Sequence, residues 1–478
     1  MSYKNHFKSK KRASLKQDGV IIKSKRAYMD STSLINQPIP SLLRQLSIPS
    51  SLGMLFNTLY NIVDTYYAGL ISTEALAALS ASSFLFFFVI GLAYGGTSAL
   101  TALIGHAYGK QHFFLAKLIA QKGVALIIGV GMILGLLGFI FASQLLHIIG
   151  TEESYHSLAL SFIEVILLGS ALFFANFALN SVLVATGDTK SYRNTLIFGF
   201  FANIALNPLF IYGWGFIPAM GIAGIALATV LVQAINAGYL LYKSLQTGLI
   251  SFTCKAQFYP DRRIYKEFFA QATPPGLNML MMSFGSLIAL HFVTLYGYQA
   301  VAGYGIGYRV EQLMLLPALG ISSAVLSLVS NNMGAGKFER VRQTLLYALG
   351  YGYVISIAGM GILWLSGKWL VAQFDPTHEV IQYGTLYIYV MLFLFCGYVT
   401  HFACVATLQG IKKPTMIFYV GFFRQILAPV LAYTLIVSYF ELSFMWMWVG
   451  LGCIVYSSAL FLLYYTYKQL PQRPMANA

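Results

Sequence analysis

The chain has 478 residues, of which 58% are hydrophobic and only 9% charged, and a formal net charge of +15. No soluble domain of this length is built so; the composition defines a polytopic membrane protein. The basic residues are dispersed over a tail and short loops rather than gathered on one face, which argues against a nucleic-acid partner and suits attraction to anionic inner-leaflet lipid.

Residues 1–45 read as a basic cytoplasmic tail, with nine Lys or Arg among the first 26 and no apolar h-region after them, so no cleaved signal peptide is expected. Apolar stretches of about 20 residues or more, the length that crosses a bilayer core as helix, then recur. They fall near 46–70, 77–104, 115–140, 157–185, 193–213, 219–243, 268–296, 300–330, 341–366, 379–409, 414–438 and 444–467. Twelve spans with the N-terminus inside put 27 of the 30 Lys and Arg on the inner side, leaving Lys368 outside and Arg309 and Arg424 within spans. Because cytoplasmic loops retain positive charge, both termini are expected in the cytoplasm, with 468–478 as a second tail.

The chain repeats itself. A shift of 225 sets Pro49 on Pro274, Leu52 on Leu277, Met54 on Met279 and Leu55 on Leu280. Glu74-Ala75-Leu76-Ala77-Ala78 matches Gln299-Ala300-Val301-Ala302-Gly303, and Gly199-Phe200-Phe201 matches Gly421-Phe422-Phe423. Six spans are copied once, and an even number makes the copies parallel repeats about an axis along the membrane normal. The fold expected is all-α: twelve transmembrane helices in two pseudo-symmetric six-helix lobes, 46–243 and 268–467. Residues 244–267, with Pro260, Asp261, Arg262 and Arg263, form the cytoplasmic connection.

Polar residues inside these spans are the functional candidates, since a charge in hydrocarbon costs roughly 2.5–3.5 kcal/mol on insertion scales. In span 1, Asn57, Asn61 and Asp64 follow at i, i+4 and i+7 on one helical face. The repeat carries Ala289 where the first copy has Asp64, which makes a purely architectural role for the acid less suitable. Span 5 adds Asn203 and Asn207, and Pro208 frees a backbone carbonyl one turn earlier. Span 6 adds Thr229, Gln233 and Asn236 on one stripe. Asp64 and Asn207 each lie about six residues, roughly 9 Å, from the outer end of their spans, so these groups can share one layer of the first lobe; Glu164 in span 4 sits at similar depth. Interhelical hydrogen bonding is the bland alternative for the amides. An ionised Asp64 needs a cation, a proton or a basic partner, and the first-lobe spans contain no Lys or Arg except toward their inner ends, which leaves a proton or a hard ion such as sodium.

In the second lobe Arg309 and Glu311 are two residues apart and point different ways. Arg424 is expected to neutralise Glu311, with a part in substrate or coupling chemistry as the alternative. Met281, Met282, Arg309 and Glu311 are candidate cleft residues, together with the aromatic run Phe84 to Phe88. The cysteines Cys254, Cys396, Cys404 and Cys453 have no metal spacing, and no hydrolase, kinase or zincin motif is present. Neither an enzyme nor a bound cofactor is therefore expected.

From about residue 40 to 467 the chain resembles the multidrug and toxic compound extrusion (MATE) transporters. The resemblance is carried by Asn57-Thr58-Leu59-Tyr60-Asn61-Ile62-Val63-Asp64-Thr65, Ala185-Thr186-Gly187-Asp188-Thr189-Lys190, Asn207-Pro208-Leu209-Phe210-Ile211 and Ala226-Leu227-Ala228-Thr229. In the second half it continues through Gly305-Ile306-Gly307 with Arg309 and Glu311, Gly334-Ala335-Gly336-Lys337, and Leu408-Gln409-Gly410 with Lys413-Pro414. The resemblance implies proton- or sodium-coupled export of lipophilic, often cationic, compounds by alternating access. It puts the family's first-lobe ion site on Asp64, Asn203, Asn207 and Thr229, which would also be the sodium ligands. Some members have aspartate at the position of Asn207, and others have acids in spans 7 and 10 that this chain lacks. The expected setting is a bacterial inner membrane and the expected form a monomer. The alternative function is a flippase for lipid-linked oligosaccharide, which calls for a basic central cavity and often two further spans.

Overall fold

The computed structural model describes residues 33–215, 217–251, 261–440 and 443–471. The tail up to residue 32, Cys254, Pro260, residues 472–478 and the side chains of Phe87 and Phe88 lie outside the described residues. Almost everything described is helix. The first lobe comprises α1 (Ile39–Ile71), α2 (Thr73–Gly109), α3 (Phe113–Ile140), α4 (Glu153–Leu168 and Ser170–Ala185), α5 (Lys190–Tyr212) and α6 (Ile222–Gln246). The second comprises α7 (Arg262–Thr294), α8 (Tyr298–Gly334), α9 (Phe338–Phe374), α10 (His378–Gly410), α11 (Thr415–Val437) and α12 (Phe444–Gln469).

Local chemistry sets several of these boundaries. The Ser72 hydroxyl caps α2 by accepting from the Ala75 N–H at 3.0 Å, with Glu74 in the first turn. Asp261 caps α7, accepting from the Arg263 and Ile264 N–H groups at 3.0 and 3.3 Å. The Ile264 N–H, then that of Arg263 and the nearby Lys122 ammonium, hold this carboxyl below the usual carboxylate range. Lys122 of α3 lies 3.7 Å from it, so the connection between lobes is tied back to the first lobe.

Among the described residues ten helices are individually long and apolar enough to cross a membrane, and the two segments of α4, bent by 46°, make an eleventh. The twelfth position belongs to α1. It is 33 residues long, about 50 Å at 1.5 Å per residue, but Asn57, Thr58, Asn61, Asp64 and Thr65 keep it from qualifying by hydropathy. It begins at Ile39, so residues 39–45 are helical; Leu42 and Leu43 are buried.

Among the described residues the lobes meet from one end to about mid-depth, where Gly91 of α2 lies against Leu280 of α7. At the end bearing the loops of Lys110, Lys190, Lys337 and Lys412, Leu42, Leu43 and Leu46 of α1 and Ala102 of α2 join the second-lobe core, and Phe268 of α7 joins the first-lobe core. Close approach is secured by glycine: a Cβ at Gly105, Gly109 or Gly334 would collide with Ser330, Asn331 or His106 of the other lobe. The Ser327 hydroxyl and Asn331 amide of α8 donate to the Val184 and Ala185 carbonyls at 2.6 and 2.9 Å. Before α1, the Ile35 and Gln37 carbonyls accept from Lys337 and Arg340 at 2.9 and 2.7 Å. At the opposite end the buried cores are separate, one drawn from Ala68 to Ala226 and the other from Ala289 to Val455.

Candidate functional site

Asp64 lies within the first lobe, 8% exposed, where α1 faces α5 and α6. Its Oδ1 accepts from Asn203 Nδ2 at 2.9 Å and from Asn207 Nδ2 at 3.0 Å, and its Oδ2 from the Thr229 hydroxyl at 3.4 Å. Asn207 Nδ2 also donates to Asn203 Oδ1 at 3.1 Å, which fixes the two amides relative to each other. Asn203 and Asn207 are fully buried. The spacing i, i+4 on α5 stacks the two amides on one face, and α1 presents the acid to that face. Every donor to Asp64 is neutral, and the two ion pairs among the described residues, Lys122–Asp261 and Lys412–Glu267, lie elsewhere.

Two tyrosines complete the site, neither singled out by sequence reasoning. Tyr60, one turn before Asp64, donates to Thr229 Oγ1 at 3.0 Å and so orients the threonine that meets the acid. Tyr67, one turn after, donates to the Ile204 carbonyl at 3.1 Å. That carbonyl is the one left without its i+4 partner by Pro208, so the proline in α5 creates the acceptor that α1 fills.

Other candidates fall outside the cluster. The side chains of Asn57 and Asn61 are exposed, although they share the helical stripe of Asp64, and neither bonds to it. Glu164 is half-buried and joins none of its hydrogen bonds. In the second lobe Glu311 is 7% exposed and accepts from the Tyr387 hydroxyl, and Arg424 is 3% exposed. Glu311 and Arg424 do not form the direct ion pair expected from sequence. Arg424 stands in a π-helical turn, Phe423–Leu427, and its guanidinium lies 5.7 Å from the centre of the Tyr398 ring, so an aromatic face rather than the carboxylate receives it. Arg309 is exposed. Met282 packs against the second-lobe core and Met281 is half-buried.

Two parallel six-helix lobes, joined at one end and carrying a buried acid among neutral donors, define the class: a two-lobed membrane transporter with an internal repeat. The MatE family profile matches residues 49–209 and again 274–434, the same offset of 225, and the chain belongs to that family of transporters. It is 27% identical over 455 residues to a probable multidrug resistance protein NorM of Thermotoga maritima, covering 90% of this chain and 94% of the other. It is also 26% identical over 367 residues to an FAD transporter of Shewanella oneidensis, covering 76% and 80%. Among solved structures, an outward-facing multidrug resistance MATE family transporter superposes with a TM-score of 0.85 at 22% identity, over 92% of this chain and 98% of that one.

Proposed function

We propose that this chain is a secondary active exporter of small lipophilic compounds, driven by exchange for a proton or a sodium ion that binds at Asp64. The observation that carries the proposal is the composition of the shell around that acid. A buried carboxylate without a basic neighbour must gain a cation or lose its charge, and Asn203, Asn207 and Thr229 supply only neutral groups. The site suits either ion. Asn207 Oδ1 is buried and finds no hydrogen-bond partner, so a hard oxygen donor is available beside the carboxylate. Sodium would be held by oxygens of Asp64, Asn203, Asn207 and Thr229; a proton would sit on Asp64 itself.

With the basic end in the cytoplasm, as the distribution of Lys and Arg indicates, the lobes are closed on the cytoplasmic side and parted on the outer side. This is the state in which an ion from outside reaches Asp64. Its arrival cancels the negative charge that the two amide N–H groups serve, which loosens α1 from α5 and favours the alternate packing. The setting proposed is a bacterial cytoplasmic membrane, with the chain acting as a monomer. The relatives named for multidrug resistance support an exporter of xenobiotics, while the FAD transporter leaves the substrate class to be read from the cleft. The flippase alternative calls for a cavity lined by several basic residues, whereas the spans bordering the cleft offer Arg309 alone at that depth.

The test is efflux of a fluorescent dye from membrane vesicles, driven separately by a pH gradient and by a sodium gradient. One gradient should drive export by the native chain, and Asp64→Asn should abolish the driven component. Driven export that survives the substitution would refute the proposal.

A further inference from the structure

We infer that the substrate of this transporter is an organic anion with an aromatic or otherwise apolar body, and that Arg309 receives its negative group. The inference rests on the reading of the molecule as a transporter whose substrate occupies the space between the lobes. Its direct observation is an exposed arginine at membrane depth: Arg309 is about three turns from the start of α8, exposed, and has neither a hydrogen bond nor an ion pair among the described residues. An uncompensated guanidinium facing lipid is costly, whereas one facing a water-filled cleft is not.

Helical phase places it on the cleft side. Gly320 of α8 lies against Ser47 and Ser51 of α1, where the lobes touch. Arg309 stands about three turns further along α8 on that same face, and Gln312 and Leu316 continue the stripe between them. On α1 the stripe above Ser51 runs through Thr58, Ile62 and Thr65, which are neutral. The guanidinium therefore projects into the part of the molecule where the two lobes no longer share a core.

A survey of the charges on the four helices that meet between the lobes then decides the sign. Asp64 and Glu311 are buried inside their own lobes. Glu267 stands near the start of α7 at the basic end, and Glu74 in the first turn of α2 at the opposite end, so neither lies at membrane depth. At membrane depth no carboxylate on these helices is free to meet a cationic substrate, and Arg309 is free to meet an anionic one. His291, exposed near the far end of α7, adds nothing negative. Apolar surface is at hand for the rest of the substrate: Phe84 of α2 is 37% exposed and Leu287 of α7 42%. Export of an anion and entry of a cation both carry positive charge inward, so an inside-negative potential drives the two together.

The experiment uses the purified full chain in detergent and two xanthene dyes of opposite charge, anionic fluorescein and cationic rhodamine 6G, titrated by fluorescence anisotropy. The native protein should bind fluorescein the more tightly. Arg309→Gln should weaken fluorescein by about tenfold or more, the loss of one charge-assisted contact, and leave rhodamine 6G unchanged or tighter. Arg309→Lys should restore most of the fluorescein affinity, and an unchanged melting temperature in both variants separates recognition from folding. Tighter binding of rhodamine 6G by the native chain, fluorescein affinity indifferent to Arg309→Gln, or binding of neither dye would overturn the inference. Gradient-driven rhodamine export without fluorescein binding would remove the substrate class and leave the exporter reading intact. Fluorescein binding sensitive to Arg309 without driven export of either dye would do the reverse.

Discussion

Among the described residues the two lobes each bury one carboxylate, and they treat it differently. Asp64 is surrounded by neutral donors, Asn203, Asn207 and Thr229, with Tyr60 behind them. Glu311 accepts from Tyr387 in a cluster that also holds Arg424 over the ring of Tyr398. Glu311 shares its lobe with a buried arginine and a tyrosine donor, whereas Asp64 has no basic group beside it, which on the proposed reading is what makes it the acid that takes a mobile cation. The two repeats differ in this respect, and the proposed function places ion exchange in the first lobe on the strength of that difference.

Substitutions can break or sharpen that contrast. Asp64→Asn should have the largest effect, reducing gradient-driven dye efflux from vesicles to the undriven rate while the protein stays folded, because an amide replaces the acid within the same hydrogen-bonding layer. Arg424→Met should lower stability by about 2 kcal/mol, through the lost contact with the Tyr398 ring and the removal of a cation from the cluster of Glu311. The double variant with Glu311→Gln should recover much of the lost melting temperature; no recovery would mean that the two residues are energetically independent. Asn207→Asp should make the first-lobe site more demanding of a cation, tightening sodium or proton uptake by about tenfold in a direct binding measurement. Tyr67→Phe should be the mildest, about 1 kcal/mol for one lost hydrogen bond to the Ile204 carbonyl, read as a small fall in melting temperature with efflux retained.

Much of this was legible in the sequence because membrane helices impose simple rules. Apolar length, the bias of Lys and Arg and the offset of 225 lead to the two-lobed fold; span depth sets Asp64 and Asn207 in one layer with several other polar residues, and the family resemblance narrows that layer to Asp64, Asn203, Asn207 and Thr229. The limits are equally physical. A helical stripe records direction but not which neighbour covers it, so Asn57 and Asn61 shared a face with Asp64 yet stand exposed. Thirty-two tyrosines dilute the signal of any one, and Tyr60 and Tyr67 emerged only once their partners were known. For Tyr67 a clue did exist, since Pro208 requires some donor for the Ile204 carbonyl. The π-helical turn at Phe423–Leu427 shifts the phase of α11, which a regular 3.6-residue period cannot anticipate; hence the expected pairing of Arg424 with Glu311 gave way to Tyr398.

The most direct test is equilibrium cation uptake by the purified chain, with sodium followed by calorimetry at fixed pH and protons by an indicator dye. The account predicts that the native protein takes up one cation per chain and that Asp64→Asn takes up none while Glu311→Gln behaves as native. Uptake that persists in Asp64→Asn, or disappears in Glu311→Gln alone, would contradict it.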